Sequence, residues 1–243
     1  MQTDITQLPA APDLAERVYR SLLDAISAGT LAPGQRLTQE ELAERLAVSR
    51  QPVIQALKLL RKDGFVEEAP ACGTAGRTRG LQVAPLEPTF VAHLYEVRGA
   101  LDALAARLAA QRRTALDPAL LERGRAAARR GDVQALLEAD LAFHCAIYRA
   151  TGNPLIEQSA ALHWAHIRRV MAAALQNRPA HQTVWDEHEA MTRAIARGDA
   201  DRASTLMLEH AGHASQRLAA GLGNAQVAAG GIPARLRGAR PLR

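Results

Sequence analysis

The sequence predicts a mostly α-helical chain. A small N-terminal unit of three helices and a two-stranded wing comes first, followed by an antiparallel all-α helical bundle of about six helices. Three observations predict it. Of the 243 residues, 48% are hydrophobic but only 3% aromatic, and alanine and leucine dominate the apolar set, a composition that packs helices closely and feeds sheets poorly. Apolar positions recur at helical spacing along most of the chain. Alternation of period two is confined to Phe65-Val66-Glu67-Glu68 and Leu81-Gln82-Val83. The same composition excludes an all-β fold and disorder throughout.

The elements follow in order after a short N-terminal segment, residues 1–12. Leu14, Val18, Leu22 and Ile26 form one helical stripe, and Gly29 stands at its C-terminal end. Pro33-Gly34 marks a turn. Thr38 and Glu41 have the three-residue spacing in which each side chain satisfies the other's free backbone amide, so a second helix starts there with Leu42, Ala43 and Leu46 inward. Ala47-Val48-Ser49 breaks it, and a third helix opens with Ser49 as its cap and Pro52 in the first turn, then runs through Val53, Ala56, Leu57 and Leu60 to Gly64. Two short helices joined tightly make a helix-turn-helix, which puts Ser49, Arg50 and Gln51 where base edges of DNA would be met. The two period-two segments form a wing, and Arg77 and Arg79 in its loop have no acid beside them in sequence, as phosphate or minor-groove contacts require.

From residue 87 to about 222 the chain reads as helices with repeated punctuation. Asp117-Pro118, Asp132, Asn153-Pro154 and Asp199 mark starts, and Gly131, Gly152 and Gly198 mark stops. Residues 223–243 are rich in glycine, alanine and arginine and are expected to be a disordered basic tail. The formal net charge of +5 is no nucleic-acid signal in itself. Residues 1–86 carry 10 basic and 10 acidic side chains and residues 87–223 carry 16 and 15, so four of the five excess charges are Arg235, Arg237, Arg240 and Arg243. Cys72 and Cys145 are too far apart in sequence to suggest a zinc pair or a disulfide framework, and both read as free thiols. No apolar run approaches the roughly 20 residues that span a bilayer, and the first residues lack the pattern of a signal peptide, so a cytoplasmic protein is expected.

The run from Val18 through Leu31-Ala-Pro-Gly-Gln-Arg-Leu37, Glu41-Leu-Ala43, Val48-Ser-Arg-Gln-Pro-Val53, Ala56-Leu57, Leu60 and Asp63-Gly64 resembles the winged helix-turn-helix of GntR-type transcriptional regulators. The resemblance implies a recognition helix opened by Ser49, Arg50 and Gln51, with Arg50 paired to a guanine. Thr38, Arg77 and Arg79 complete the candidate DNA-binding set. The chain departs from the family at Ile54 and Gln55, where an arginine and a glutamate are usual, which implies a different operator preference.

In the second part, Asp140 and His144 lie four residues apart and share a helical face, and His188 and His210 come from later helices. Three imidazoles and a carboxylate suit a divalent transition metal ion such as zinc, nickel or manganese. Asp140-Leu-Ala-Phe-His144, Thr151-Gly-Asn153 and the segment from His188 to His210 around Ala194-Ile-Ala-Arg-Gly-Asp199 resemble the FCD ligand-binding domain of the FadR subgroup, and the helix count suggests its VanR-like branch. The resemblance implies a homodimer on a double-stranded, imperfectly palindromic operator, usually a repressor, that answers to a small organic acid effector through Arg98. A surface ion pair of Arg98 with Glu96 or Asp102 is the competing expectation, and Trp164 and Trp185 either line the cavity or fill core.

Two other functions meet the same residues. A metal-dependent hydrolase would use the ion to activate water, but no His-Glu-x-x-His is present, and Glu189 and Glu209 project about 100° away from the adjoining histidines. A fatty-acyl-CoA sensor would hold a metal-free apolar tunnel, which the intact set of Asp140, His144, His188 and His210 opposes.

Overall fold

The computed structural model describes residues 14–70, 80–175 and 182–228. Arg77 and Arg79, Cys72 and the four tail arginines lie outside the described residues. Two compact units separate between Pro85 and Leu86, with Ser27–Gly29 grouped with the second.

In the first unit, α1 (Leu14–Ser27) buries Ala15, Val18, Leu22 and Ile26, the stripe its spacing predicts. Helix α2 (Gln39–Arg45) is capped by the Thr38 hydroxyl, which accepts from the Glu41 amide at 3.3 Å, while the Glu41 carboxylate lies 3.6 Å from Arg45. The turn to α3 (Arg50–Lys62) holds Ala47 at φ 52°, a left-handed conformation strained for alanine that reverses the chain in one step. Val53, Ala56, Leu57 and Leu60 on α3 are at most 2% exposed and close the core. Strands β1 (Arg36–Leu37), β2 (Val66–Glu68) and β3 (Leu81–Val83) form an antiparallel sheet in the order β1-β3-β2, with Val66 opposite Val83 and Leu37 opposite Leu81. The wing expected from period two is β2 with β3. Strand β1 is too short to show a period; it forms because the Pro33-Gly34 turn lets Gly34 N–H donate to Val83 at 2.9 Å and Val83 N–H donate to Gln35 at 2.9 Å.

The second unit holds six helices among the described residues: α4 (Pro88–Gln111), α5 (Ala119–Arg130), α6 (Val133–Ala150), α7 (Pro154–Leu175), α8 (Gln182–Arg197) and α9 (Ala200–Ala228). Their punctuation works as local chemistry dictates. Asp117, Asp132, Asn153 and Asp199 side chains accept from the amides of Ala119, Ala135, Leu155 and Arg202 at 2.9–3.1 Å, and Gly131 and Gly198 adopt φ 65° and 79° at helix ends. Gly99 of α4 faces Ala211 of α9 so closely that a Cβ there would lie 3.2 Å from the Ala211 Cβ, and this small-residue seam brings the two helices together. Phe143, Ile147, Tyr148, Met191, Ile195 and Met207 form the main core. Helix α9 continues to Ala228, past Gly223 where the tail was expected to begin. Its glycines do not end it: Gly221 sits against Ala174 of α7, where a Cβ would come within 3.0 Å, so this glycine serves close packing.

Candidate metal centre and nucleic-acid interface

Helix α6 starts from its Asp132 cap, and from that register Asp140, Phe143, His144 and Ile147 fall on one buried face. Helices α8 and α9 bring His188 and His210 to the same place. Ligand atoms of Asp140, His144, His188 and His210 all lie within 4.8 Å of one another, and all four residues are buried. The geometry is convergent: His144 Nε2 and His188 Nε2 are 3.8 and 3.6 Å from Asp140 Oδ1, and His188 Nε2 is 3.4 Å from His210 Nε2. Nitrogens bound to one ion at about 2.0–2.1 Å stand roughly 3.3 Å apart in a tetrahedron, close to that spacing. Among the described residues His144 Nε2 has no hydrogen-bond partner although it is wholly buried, a state that a metal ion would relieve.

Two of the imidazoles are held toward their neutral form. Burial pushes His188 well below the usual histidine range, and His210, His144 and Arg98 push it the same way. Burial also lowers His210, only partly opposed by its hydrogen bond to Glu187. Both are therefore neutral near pH 7, the form that donates a lone pair. His188 is fixed by apolar rings, stacked on Phe143 at 4.1 Å and met edge-on by Trp185 at 4.7 Å. Trp185 in turn lies over Gly124 of α5, where a Cβ would fall inside the indole. Trp185 is thus core that props the site.

Beside the cluster, Arg98 of α4 is 4% exposed. Its guanidinium donates to Asp102 at 3.1 Å, to Tyr95 Oη at 3.1 Å and to Asp140 at 3.3 Å, and it lies between the Tyr95 and Trp164 rings, 5.2 and 4.9 Å from their centroids. The expected pair with Asp102 exists, but in the interior and not on the surface. Burial raises the Tyr95 phenol to about 12. Asp102 is wholly buried, accepts from the Tyr148 hydroxyl, and lies 3.2 Å from His144 Nδ1, within ion-pair distance though not aligned as a hydrogen bond. Burial alone would raise its carboxyl, but His144, Arg98 and Tyr148 together hold it well below the carboxylate range. A crevice of about 10 Å³ lined by Arg98, Leu101, Asp102, Tyr148 and His163 adjoins this network.

On the first unit, Ser49, Arg50, Gln51 and Thr38 are all exposed. Ser49 has the extended backbone of a cap but no capping bond from its side chain, which leaves its hydroxyl available. Among the described residues, Arg50 holds only a solvent-facing pair with Glu40 at 2.9 Å. The first turn of α3 therefore presents polar groups outward while Val53 and Leu57 anchor it.

Two family profiles match: "Bacterial regulatory proteins, gntR family" over residues 14–75 and the FCD domain over residues 93–213. The HTH-type transcriptional regulator LutR of Bacillus subtilis is 32% identical over 208 residues, covering 76% of this chain and 92% of LutR. This chain belongs to the GntR family. It is a transcriptional regulator, not an enzyme, with a gntR-type DNA-binding unit and an FCD bundle. The galactonate operon transcriptional repressor of Escherichia coli is 28% identical over 84% of this chain and 96% of that protein. Among solved structures, E. coli McbR/YncC shares the fold at a TM-score of 0.67 and 22% identity, covering 84% of this chain and 96% of that one. Among the described residues of this GntR-family chain, no helix is long and apolar enough to cross a membrane.

The bundle brings together all five site residues expected there. Asp102, Tyr148 and Glu187 join them without having been expected as site residues. Asp102 carried one signal, its position four residues after Arg98; the other two meet the site only across helix pairs.

Proposed function

We propose that the chain is a repressor that grips an operator through Ser49, Arg50, Gln51 and Thr38, with Arg77 and Arg79 of the wing. Its bundle takes a small organic acid beside a divalent transition metal ion, zinc, nickel or manganese, held by Asp140, His144, His188 and His210. The observation that carries this reading is the buried Arg98 guanidinium, bonded to the one carboxylate on which the three imidazoles converge. A bound ion would supply a Lewis-acid position for a carboxylate oxygen. Arg98 supplies the second recognition element, a fork of donors that fits a carboxylate. Tyr95 and Trp164 hold that fork in place, and the neutral His188 and His210 leave the site's positive charge to Arg98 and the ion.

Arg98 is carried by α4, which follows the winged unit directly in sequence, so an acid that engages the Arg98 network acts on that helix. This gives the coupling a physical origin: the acid binds better to a bundle in which α4 has shifted. A homodimer sets two recognition helices on an imperfect palindrome. One relative is named for a galactonate operon, which makes sugar acids the first class to try. Gel retardation on the promoter of its own transcription unit, at stated salt, is expected to show a specific complex that a sugar acid, dicarboxylate or aromatic acid releases only in the absence of chelator. Retardation no stronger than on unrelated DNA overturns the regulator's proposed contacts; release that ignores both acid and chelator overturns the effector site.

A further inference from the structure

The carboxylate of Glu187, on α8 next to His188, turns away from its neighbour and across to α9. Its Oε2 lies 2.6 Å from His210 Nδ1, and its Oε1 lies 3.0 Å from His213 Nδ1. Arg217 donates to both oxygens at 3.4 and 3.5 Å. His210, His213 and Arg217 stand on successive turns of one face of α9, so a single carboxylate is gripped by three side chains spaced along that helix. A carboxylate in its ionised form only accepts, so the hydrogen between Glu187 and His210 belongs to Nδ1. The Arg217 guanidinium, set against both oxygens, favours the ionised carboxylate. With Nδ1 protonated, the lone pair of His210 is on Nε2, the atom that faces His188 Nε2 at 3.4 Å.

We infer that Glu187 is a positioning residue of the metal centre, fixing the tautomer and ring orientation of His210 so that its Nε2 lone pair points at the ion. The inference rests on the metal reading above. The three imidazoles differ in what stands behind them: Asp102 behind His144, Glu187 behind His210, and the Phe143 and Trp185 rings against His188, whose Nδ1 is buried without a partner among the described residues. Outer carboxylates of this kind raise ligand basicity and fix orientation. The role goes unnoticed in sequence because a residue beside a ligand on a helix points away from that ligand's target, and Glu187 serves a histidine 23 residues further on.

The test measures Zn²⁺ affinity of the full chain by competition with a chelating dye, for the unsubstituted protein and for Glu187→Ala, Glu187→Gln and Arg217→Ala, with ¹⁵N shifts of the histidine rings read in the metal-free proteins. Glu187→Ala is expected to lose about 10–100-fold in affinity and to lose the pure Nδ1–H signature of His210. Glu187→Gln, whose amide oxygen still accepts from Nδ1–H, is expected to recover much of both. Arg217→Ala, which removes a partner of Glu187 but keeps its bond to His210, is expected to stay near the unsubstituted value. Equal losses in Glu187→Ala and Arg217→Ala with an unchanged tautomer would mean that Glu187 merely ties α8 to α9, and would overturn the inference. Unchanged affinity in Glu187→Ala overturns it while leaving the metal reading intact. Failure of the unsubstituted protein to bind Zn²⁺, Ni²⁺ or Mn²⁺ overturns both.

Discussion

The winged unit and the bundle place their charges in opposite ways. Arg50, on the first turn of α3, and its partner Glu40 of α2 have 63% and 59% of their side chains exposed, so water already solvates them and the pair costs little to break. In the bundle, Arg98 and Asp102 are 4% and 0% exposed, and each depends on the other's presence. The winged unit keeps this pair loosely held at its surface. The bundle holds its charges inside, neutralised by one another, as part of the core. The difference teaches where substitution separates function from folding: in the first unit it does, in the second it does not.

The largest effect expected from breaking this contrast is Asp102→Ala, which leaves Arg98 buried with one carboxylate fewer and strips Tyr148 and His144 of a partner. Urea unfolding should show a loss of about 3–5 kcal/mol, the range for removing one member of a buried pair. Next is metal addition. At an ion concentration a hundredfold above Kd, thermal unfolding should report about 2.7 kcal/mol of stabilisation, abolished by chelator and absent in His144→Ala. Arg50→Ala should sit at the other pole, with about 1–3 kcal/mol lost from specific DNA binding and stability unchanged within about 0.5 kcal/mol. The smallest effect belongs to Arg20→Ala, which removes an exposed pair with Glu16 and should change unfolding by no more than about 0.5 kcal/mol.

Acid sharpens the comparison further. His188 and His210 have folded-state pKa values below the unfolded value of 6.5, so their neutral burial contributes stability that is present above pH 6.5 and lost as pH falls through the folded values. Glu187, lowered from 4.5 to about 2, adds a second loss between those two values. Urea midpoints of chelated protein should therefore fall as pH drops below 6.5 and fall again below 4.5. A His188→Gln variant that retained the full upper slope would show that the first loss arises elsewhere.

Most of the fold was legible in the sequence because its signals are local. Asp132 and Gly131 mark a boundary through groups within a few residues of themselves, and the Thr38 cap needs only Glu41. Asp140 and His144 were legible as a pair for the same reason, one helical turn being a local distance. His188 and His210 were recognised through resemblance, since nothing local distinguishes them from the chain's other histidines. Glu187 was not legible: its meaning lies in Nδ1 of a residue on another helix. The segment from Gly223 reads as tail because it is rich in glycine and alanine, while α9 continues to Ala228; Gly221, within the expected bundle, packs against Ala174. Strand β1 escaped because pairing, not alternation, defines two residues.

Gly124 has a reach that its position on an outer helix conceals. The Trp185 indole rests on the space where this residue has only hydrogen, and the edge of the same ring meets His188. Arg125, its neighbour, is tied to Asp186 and Glu189 of the same helix as Trp185, at 2.9 and 2.7 Å. Helix α5 is accordingly a strut: a tilt of α5 would be transmitted through one rigid aromatic plate to an imidazole in the interior.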